Sequence, residues 1–317
     1  MNKSSFGKGV IFAVTAYLIW GILPIYWKTL SAINSMHILG FRIVFSLLFV
    51  GGILITRKNT SWLRFYEDKK KGILLVLAGL TISFNWGLYI WAVNSAHTIE
   101  TSLGYYINPL ISIVLGLLFF KEKLKFLQII AFALASIGVL TLTFLTGSLP
   151  WISLCLAFSF AFYGLLKKTI NLSALETLGV ETLVACPLGL LLLFSSFGER
   201  WSFPDTGVFS LVITLPLHIL VLLILCGAAT SFPLFLFAKG AKILPLSTLG
   251  FIQFLSPTLS FLTGYFIFHE HFPIHNFIAF GFIWAAAILY IISLFQKSAL
   301  SPLAPCSWGS ASFKQKR

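Results

Sequence analysis

The chain has 317 residues, of which 58% are hydrophobic and only 10% are charged, and its formal net charge is +13. A soluble globular domain carries about 25% charged residues, so this composition excludes a water-soluble globular protein. Apolar runs of about 20 residues recur along the chain, each long enough to cross a bilayer core of about 30 Å. They do not alternate as the strands of an outer-membrane barrel would, so we predict an all-α membrane protein.

Ten transmembrane helices are predicted. The first five are expected at Lys8–Tyr26, Met36–Thr56, Ile73–Ser95, Thr98–Phe119 and Leu124–Thr146. The second five are expected at Leu149–Leu166, Leu175–Phe197, Phe209–Ala238, Pro245–Phe268 and Ile274–Leu294. The basic N-terminus resembles that of a signal peptide, but the first span lacks a small-residue cleavage site, so a mature helix is expected. The stretch 299–317 is rich in Ser and Pro and is predicted to be a disordered cytoplasmic tail.

Lysine and arginine residues fall almost entirely on one side of these spans. If the N-terminus is cytoplasmic, the cytoplasmic segments hold nearly all of them, including Lys167 and Lys168 after the sixth span. The opposite segments hold only Lys28 and Arg200, and Arg42 lies inside the second span. This asymmetry follows the positive-inside rule and predicts that both termini are cytoplasmic in an inner membrane. The basic charge therefore sets topology, and no nucleic-acid partner is expected.

The stretch YYINPLISIVLGLLFFKEKL at 105–124 is repeated in outline as QFLSPTLSFLTGYFIFHEHF at 253–272, 148 positions later and without a gap. The aligned pairs include Pro109 with Pro257, Gly116 with Gly264 and Glu122 with Glu270. Each half of the chain holds five predicted spans, and because five is odd the second half enters the membrane inverted. Residues 1–146 and 147–298 are therefore predicted to be two inverted five-helix repeats, which in secondary transporters place the substrate site near the midplane.

The repeat marks one polar face on the fourth span and another on the ninth. Tyr105 and Asn108 are three residues apart, so they share a helix face, and the aligned residues of the ninth span are Gln253 and Ser256. Polar groups are costly against lipid, so both faces should point into the protein or a wet cavity. We predict that these four residues bind substrate, while helix–helix hydrogen bonds are an alternative explanation of the same pattern.

Other features of the spans extend this predicted site. Asn85 and Tyr89 of the third span are four residues apart. Together with Trp20 of the first span they would add an aromatic wall suited to flat or amphipathic solutes and to cations. The alternative is that these aromatic residues belong to the interfacial belt. Pro109 and Pro257 each remove a backbone donor beside the polar faces, which predicts a helix kink at each position.

Few ionisable residues lie within the predicted spans. Glu181 of the seventh span could carry a coupling proton, and it could equally anchor the helix or reach the membrane surface. Arg42 and Glu181 are expected at opposite depths, so they are not expected to pair. The segment HEHFPIH at 269–275 could bind a metal weakly. However, its Glu270 aligns with Glu122, which has no neighbouring histidines, so a helix-end role is expected for the glutamate and no metal site.

The sequence contains no ATP-binding loop, serine-hydrolase motif or zinc-protease motif. It therefore predicts no enzyme and no cofactor, and any transport would be driven by an ion gradient or by exchange. Two alternatives stay open at this point, a membrane-embedded enzyme acting on a lipid-linked substrate and a non-transporting assembly subunit. Short outside loops that are poor in acidic residues argue against the first.

Several stretches resemble the RarD group of bacterial EamA proteins, in the drug/metabolite transporter superfamily. They include AYLIWGILPIYWK at 16–28, ILGFRIVFS at 38–46, TSLGYYINPLISIVLG at 101–116 and GAATSFPLFLFAKGAKILPLSTLGFIQFLSPT at 227–258. The resemblance implies ten helices in inverted five-helix repeats and an inner-membrane permease for a small organic solute such as a drug or metabolite. A homodimer is a further expectation. One departure is Phe41, where the family often has histidine.

The predicted topology can be tested with single cysteines in a variant without the native ones. Asn59→Cys lies in the basic segment 57–72, which is expected to be cytoplasmic, and Pro273→Cys lies in a segment expected outside. A membrane-impermeant maleimide should therefore label Pro273→Cys in intact spheroplasts and Asn59→Cys only in inverted vesicles. Labelling of both cysteines from the same side would contradict the inverted repeat.

Overall fold

The computed structural model describes residues 3–31, 33–94, 97–146, 151–194, 215–269 and 274–295. This part of the chain is folded into eleven α-helices and one short 3-10 helix, and it contains no β-strand. In chain order the α-helices are α1 (Lys3–Thr29), α2 (Ser35–Thr56), α3 (Lys69–Asn94), α4 (Thr98–Phe119), α5 (Phe126–Thr146), α6 (Trp151–Thr169), α7 (Ala174–Phe194), α8 (Leu217–Ile243), α9 (Leu246–Gln253), α10 (Leu255–Phe266) and α11 (Ile274–Phe295), and the 3-10 helix is Ser61–Arg64.

Nine helical segments in the described ranges are long and apolar enough to cross a membrane. One of them joins α9 and α10 as Leu246–Phe266, and α4 adds a shorter apolar run at Leu103–Phe119. The prediction of an all-α, multi-pass membrane protein is therefore confirmed, whereas the number of ten spans stays a prediction. Parts of four predicted spans, at 95, 149–150, 195–197 and 209–214, and the predicted tail at 299–317 lie outside the described residues.

The eighth span extends further than predicted, because α8 continues to Ile243 and does not end at Ala238. The predicted boundary fell just before the first lysine of the segment. In the structure Lys239 stays helical, with its ammonium nitrogen 4.9 Å from the ring centroid of Phe12 and 4.5 Å from that of Phe235. A cation over an aromatic face is stabilised electrostatically, so this lysine does not end the helix.

One end of the helix bundle is formed by the loops 57–68, 120–125 and 170–173, and it is called the basic face below. The first loop contacts the first turn of α7, just after the third loop, where Nδ2 of Asn59 donates a hydrogen bond to Oε1 of Glu176, at 2.9 Å. These two loops therefore lie together at one end of the bundle. Because α2 ends at this face and α7 begins there, the two helices run in opposite directions.

Glu122 joins the second loop of the basic face to α9. Its carboxylate accepts hydrogen bonds from the backbone N–H groups of Leu246, at 2.7 Å, and Ser247, at 2.9 Å. The ammonium group of Lys168 lies 3.8 Å from the same carboxylate. A negative charge at the first turn satisfies N–H groups that have no partner within the helix. Glu122 thus caps the start of α9. The helix-end role was expected for its counterpart Glu270, which lies outside the described residues.

Neighbouring helices cross closely at glycine residues. Gly227 of α8 lies against the backbone of Phe45 in α2, where an added Cβ atom would come within 2.3 Å of the carbonyl carbon. Gly21 of α1 packs against Leu259 of α10, where a Cβ atom would lie 2.5 Å from the leucine Cβ atom. Close van der Waals packing of small residues is a main source of helix association in membranes. These crossings hold the helices that carry the predicted site.

The ninth predicted span is interrupted, since α9 ends at Gln253 and α10 begins at Leu255. Pro257 has no N–H group to bond the carbonyl group of Gln253 four residues earlier, so the interruption lies where a proline weakens the helix. In contrast, α4 continues through Pro109 as one helix. The interruption leaves Gln253 at the junction of two helices.

Candidate substrate-binding site

Five aromatic side chains from α1, α6 and α8 form one cluster, called the aromatic cluster below. Contacting rings have centroids 5.4 to 6.1 Å apart, in tilted, edge-to-face and stacked arrangements. The members are Tyr17, Trp20, Phe160, Tyr163 and Phe237. Tyr17 and Tyr163 are completely buried. The cluster therefore closes the space between these three helices in the half of the bundle nearer the basic face.

Tyr17 connects the aromatic cluster to α9. Its hydroxyl group donates a hydrogen bond to Oε1 of Gln253 at 3.3 Å, and both side chains are buried. The backbone carbonyl group of Ser256 lies where α10 packs against Gly21 of α1. Three predicted binding residues, Trp20, Gln253 and Ser256, therefore lie around the contacts of α1 with α9 and α10.

A buried ion pair lies beside the aromatic cluster. Nζ of Lys167 is 2.8 Å from Oε1 of Glu181, and both side chains are buried. The hydroxyl group of Tyr163 donates to Oε2 of Glu181 at 2.9 Å, and Lys167 also donates to Oγ1 of Thr177 at 2.8 Å. Lys167 was counted only as a charge on the cytoplasmic side, but it lies in the last turn of α6, and its side chain turns into the bundle and neutralises Glu181. The proton-coupling role of Glu181 stays a prediction.

A second charged group lies in the other half of the bundle. Arg42 and Glu181 each lie seven residues after the first residue of their helix, which is Ser35 in α2 and Ala174 in α7. At a rise of about 1.5 Å per residue, each charge lies roughly 10 Å from its helix start. These two helices start at opposite ends of the bundle. The charges are therefore at opposite depths, as expected, and Glu181 pairs with Lys167.

Aromatic rings hold the side chain of Arg42. Its guanidinium carbon lies 4.6 Å from the ring centroid of Trp27 and 5.4 Å from that of Trp86. Its Nε atom donates a hydrogen bond to Oγ1 of Thr230 at 3.1 Å. In the ranges the structure covers, no carboxylate lies within 4 Å of the guanidinium group. These residues are called the arginine cluster, and its positive charge has no acidic partner there.

Two predicted binding residues lie beside the arginine cluster. The rings of Tyr89 and Tyr105 have centroids 5.9 Å apart, and Tyr89 packs with Trp86 on the apolar cluster that contains Ile43, the residue next to Arg42. Tyr105 is 45% exposed. Asn108 and Ser112, three and seven positions later, share its helix face and are buried. The exposed surface of Tyr105 therefore belongs to a face that points into the bundle.

The other two predicted binding residues make contacts within the helix bundle. Nδ2 of Asn85 donates hydrogen bonds to the carbonyl group of Leu156, at 2.9 Å, and to Oγ of Ser159, at 2.8 Å. Asn85 therefore joins α3 to α6. The hydroxyl group of Ser112 donates to Oδ1 of Asn108 at 3.2 Å within α4. Both asparagines are buried, and their contacts are of the kind that stabilises helices and helix pairs in membranes.

An open groove of about 490 Å³ lies between α3, α4 and α6. Its lining residues are Leu80, Thr81, Phe84, Leu115, Phe158, Ser159 and Phe162. Phe84 and Phe158 are more than half exposed, so the groove lies on the outer surface, where acyl chains lie in a membrane. None of the predicted binding residues lines it. The groove and the predicted site are therefore different places.

The structure thus divides the predicted site between two regions. Trp20 and Gln253 lie near the aromatic cluster, and Tyr89 and Tyr105 lie beside the arginine cluster. The sequence analysis did not include Arg42 among the binding residues. The signal was present, because an ionisable residue inside a membrane span is by default a candidate functional residue.

Comparisons with known proteins point to one family. The EamA-like transporter family matches the chain twice, over residues 7–144 and 149–292. Uncharacterized transporter YojE of Bacillus subtilis is 40% identical over 92% of this chain and 96% of its own length. Protein RarD of Streptomyces exfoliatus is 40% identical over 89% of this chain and 87% of its own length. Protein RarD of Escherichia coli is 37% identical over 92% of this chain and 96% of its own length.

The fold also occurs among solved structures. A crystal structure that is 16% identical in sequence superposes with a TM-score of 0.68 and covers 90% of this chain and 98% of its own. At this identity the likeness concerns the fold alone.

The buried ion pair can be tested through stability. Lys167→Met leaves the carboxylate of Glu181 buried without a cation and should lower the free energy of unfolding by about 3–5 kcal/mol. The double variant Lys167→Met/Glu181→Leu removes both charges and should recover most of that loss. The unfolding free energies of both variants are measured on the purified protein in detergent, with tryptophan fluorescence as the signal. Lys71→Met, at an exposed position, is the control. A double variant as unstable as the single one would contradict the pairing.

Proposed function

The chain belongs to the RarD group of the EamA-like transporter family, and we propose that it is a secondary active permease for a small organic solute. It would work in the inner membrane by alternating access between two inverted five-helix repeats, 1–146 and 147–298, with cytoplasmic termini. The driving force would be an ion gradient or exchange. A homodimer is part of the same proposal.

The observation that carries the proposal is the two-fold pattern of the chain. The family matches once in each half, over residues 7–144 and 149–292. α1 begins at the basic face, where Gly9 packs against Ile243, whereas α6 ends there, beside Glu122. The first helices of the two halves therefore run in opposite directions, as inverted repeats require.

Helix packing follows the same pattern. The counterparts of α1, α2 and α3 in the other half are α6, α7 and α8. The contact of α1 with α8 therefore corresponds to that of α6 with α3, and the contact of α2 with α8 corresponds to that of α7 with α3, and all four contacts are present. In two further contacts, α2 with α7 and α5 with α11, a helix packs against its own counterpart. Two halves related in this way can rock about a shared axis, which supports alternating access.

The two clusters support a conformation that is closed towards the basic face. There the aromatic cluster and the Lys167–Glu181 pair fill the bundle with buried groups. In the other half Tyr105 keeps 45% of its surface exposed towards an internal space. We assign this conformation as open towards the face opposite the basic face, which is the outside if the predicted topology holds.

Transport by the purified protein tests this proposal. Proteoliposomes are screened against drugs, amino acids and nucleotide-like metabolites, with and without a pH gradient. At least one solute should accumulate above the level in empty liposomes. Gln253→Leu should raise the apparent KM for that solute or abolish transport, because it removes the polar group beside Tyr17.

Two further measurements separate a substrate-binding role from helix packing. Thr141→Val replaces an exposed hydroxyl group on α5 and should leave transport unchanged. Asn108→Leu should also raise the KM if Asn108 contacts substrate. Lower thermal stability with an unchanged KM would assign Asn108 or Gln253 to packing, and the absence of flux for every solute would favour a non-transporting assembly subunit.

Glu181 is proposed to carry the coupling proton. Glu181→Gln cannot exchange a proton but keeps the size of the side chain, so pH-driven net transport should be lost while solute exchange persists. Glu176→Gln, on the same helix but in contact with the loop residue Asn59, is the matched control. Lys167→Gln/Glu181→Gln removes the uncompensated lysine if the single variant is unstable. Unchanged pH dependence in a folded variant would contradict the coupling role.

A further inference from the structure

We propose that Arg42 binds an oxyanion, a carboxylate or phosphate group, on the transported solute, which would make the solute an amphipathic organic anion. This inference rests on the proposed permease function and assigns its substrate class. It departs in the sign of the charge from the sequence analysis, whose aromatic wall suited flat or amphipathic solutes and cations.

The first argument is the uncompensated charge. A cation within a membrane span is expensive unless it is paired or reaches water. Arg42 is half-buried, and none of the carboxylates in the described ranges lies within 4 Å of it. At the matching position of the other half, Glu181 is neutralised by Lys167 within the protein. The protein thus supplies a counter-ion at one of these two positions and leaves the other charge available.

The second argument is the geometry of the guanidinium group. The hydrogen bond to Thr230 uses Nε, and no described residue accepts a hydrogen bond from the two terminal nitrogens. Those nitrogens carry the pair of parallel N–H groups that bind a carboxylate or phosphate in two-point fashion. The guanidinium carbon lies over the rings of Trp27 and Trp86, 4.6 and 5.4 Å from their centroids. These contacts stabilise the charge without using the terminal N–H groups, which stay available to an oxyanion.

The third argument concerns the surroundings of these N–H groups. Tyr89 lies one turn after Trp86 on α3 and its ring contacts that of Tyr105, and the hydroxyl groups of both tyrosines make no hydrogen bond to a described residue. Both can therefore donate to the same oxyanion. Tyr105 is 45% exposed towards the internal space, so a solute can reach this position. The aromatic faces suit an apolar body attached to the charged group.

A phospholipid headgroup offers the same oxyanion chemistry as a soluble solute. Arg42 lies about 10 Å, or seven residues, inside the helix start, with rings from α1 and α3 beside it. These positions favour a solute in the internal space. Binding in detergent without added phospholipid, and competition by phosphatidylglycerol, distinguish the two sources.

The experiment uses three nearly isosteric probes of different charge, namely benzoate, neutral benzamide and cationic benzamidine, together with phenyl phosphate as a second anion. Each is titrated into the purified full-length protein in a neutral detergent at pH 7, and the quenching of tryptophan fluorescence and the shift in unfolding temperature are recorded. Wild type should respond to benzoate or phenyl phosphate and respond much less to benzamide and benzamidine. This selectivity needs no variant and is therefore independent of folding defects.

Variants then locate the anion. Arg42→Gln should weaken binding of the favoured anion by about 10- to 100-fold, as expected when a hydrogen-bonded charge is removed. The affinity of Arg42→Lys for this anion should lie between those of wild type and Arg42→Gln, and the variant should still prefer anions to the other probes. The control is Arg64→Gln, at an exposed position in a loop of the basic face, which should bind like wild type. Displacement of the bound anion by phosphatidylglycerol would assign the site to a lipid headgroup and overturn the solute proposal.

The outcomes separate this inference from the permease proposal. Wild-type protein that does not distinguish the anions from benzamide, or Arg42→Gln that binds them equally well, overturns the anion site. Flux of a neutral solute with unchanged KM in Arg42→Gln would keep the permease and overturn the anion site. Binding of benzoate through Arg42 with no flux of any solute would keep the anion site and contradict the permease.

Discussion

The hydrocarbon core of a membrane offers no hydrogen bonds, so each polar group inside the bundle needs a partner within the protein or in a wet space. The described residues largely obey this constraint. Asn85 of α3 bonds two groups of α6, and Glu181 of α7 accepts from Lys167 and Tyr163 of α6. The polar groups therefore fix which helices are neighbours.

The same constraint applies to the charge of Arg42, which also needs a partner. Arg42 and Glu181 stand at matching positions of two helices that pack against each other in opposite directions. Glu181 has a cationic partner from α6, whereas Arg42 has two tryptophan faces and a threonine hydroxyl group. The two matching positions thus carry opposite charges, and only Glu181 has a counter-ion among the described residues. A bound anion would supply the counter-ion of Arg42, as Lys167 does for Glu181.

Close packing and a broken helix complete the arrangement. Gly21 and Gly227 bring helices from different halves into contact at distances that no larger side chain permits. α9 and α10 meet at Phe254, beside Gln253, and discontinuous helices of this kind form binding sites in many transporters. Rigid crossings together with one interrupted helix suit movement of whole repeats about a central region.

The sequence by itself determined the all-α membrane fold and the family. These follow from local signals, because hydropathy, helical periodicity and an aligned repeat are properties of neighbouring residues in one chain segment. The sequence also placed Tyr89 and Tyr105 in the region of a possible site. Only the tertiary structure put Lys167 beside Glu181, tied Asn85 to α6 and assembled the rings around Arg42. Those contacts join Trp27, Arg42, Trp86 and Thr230 from four helices, and they depend on the depth and rotation of each helix against its neighbours, which hydropathy does not encode.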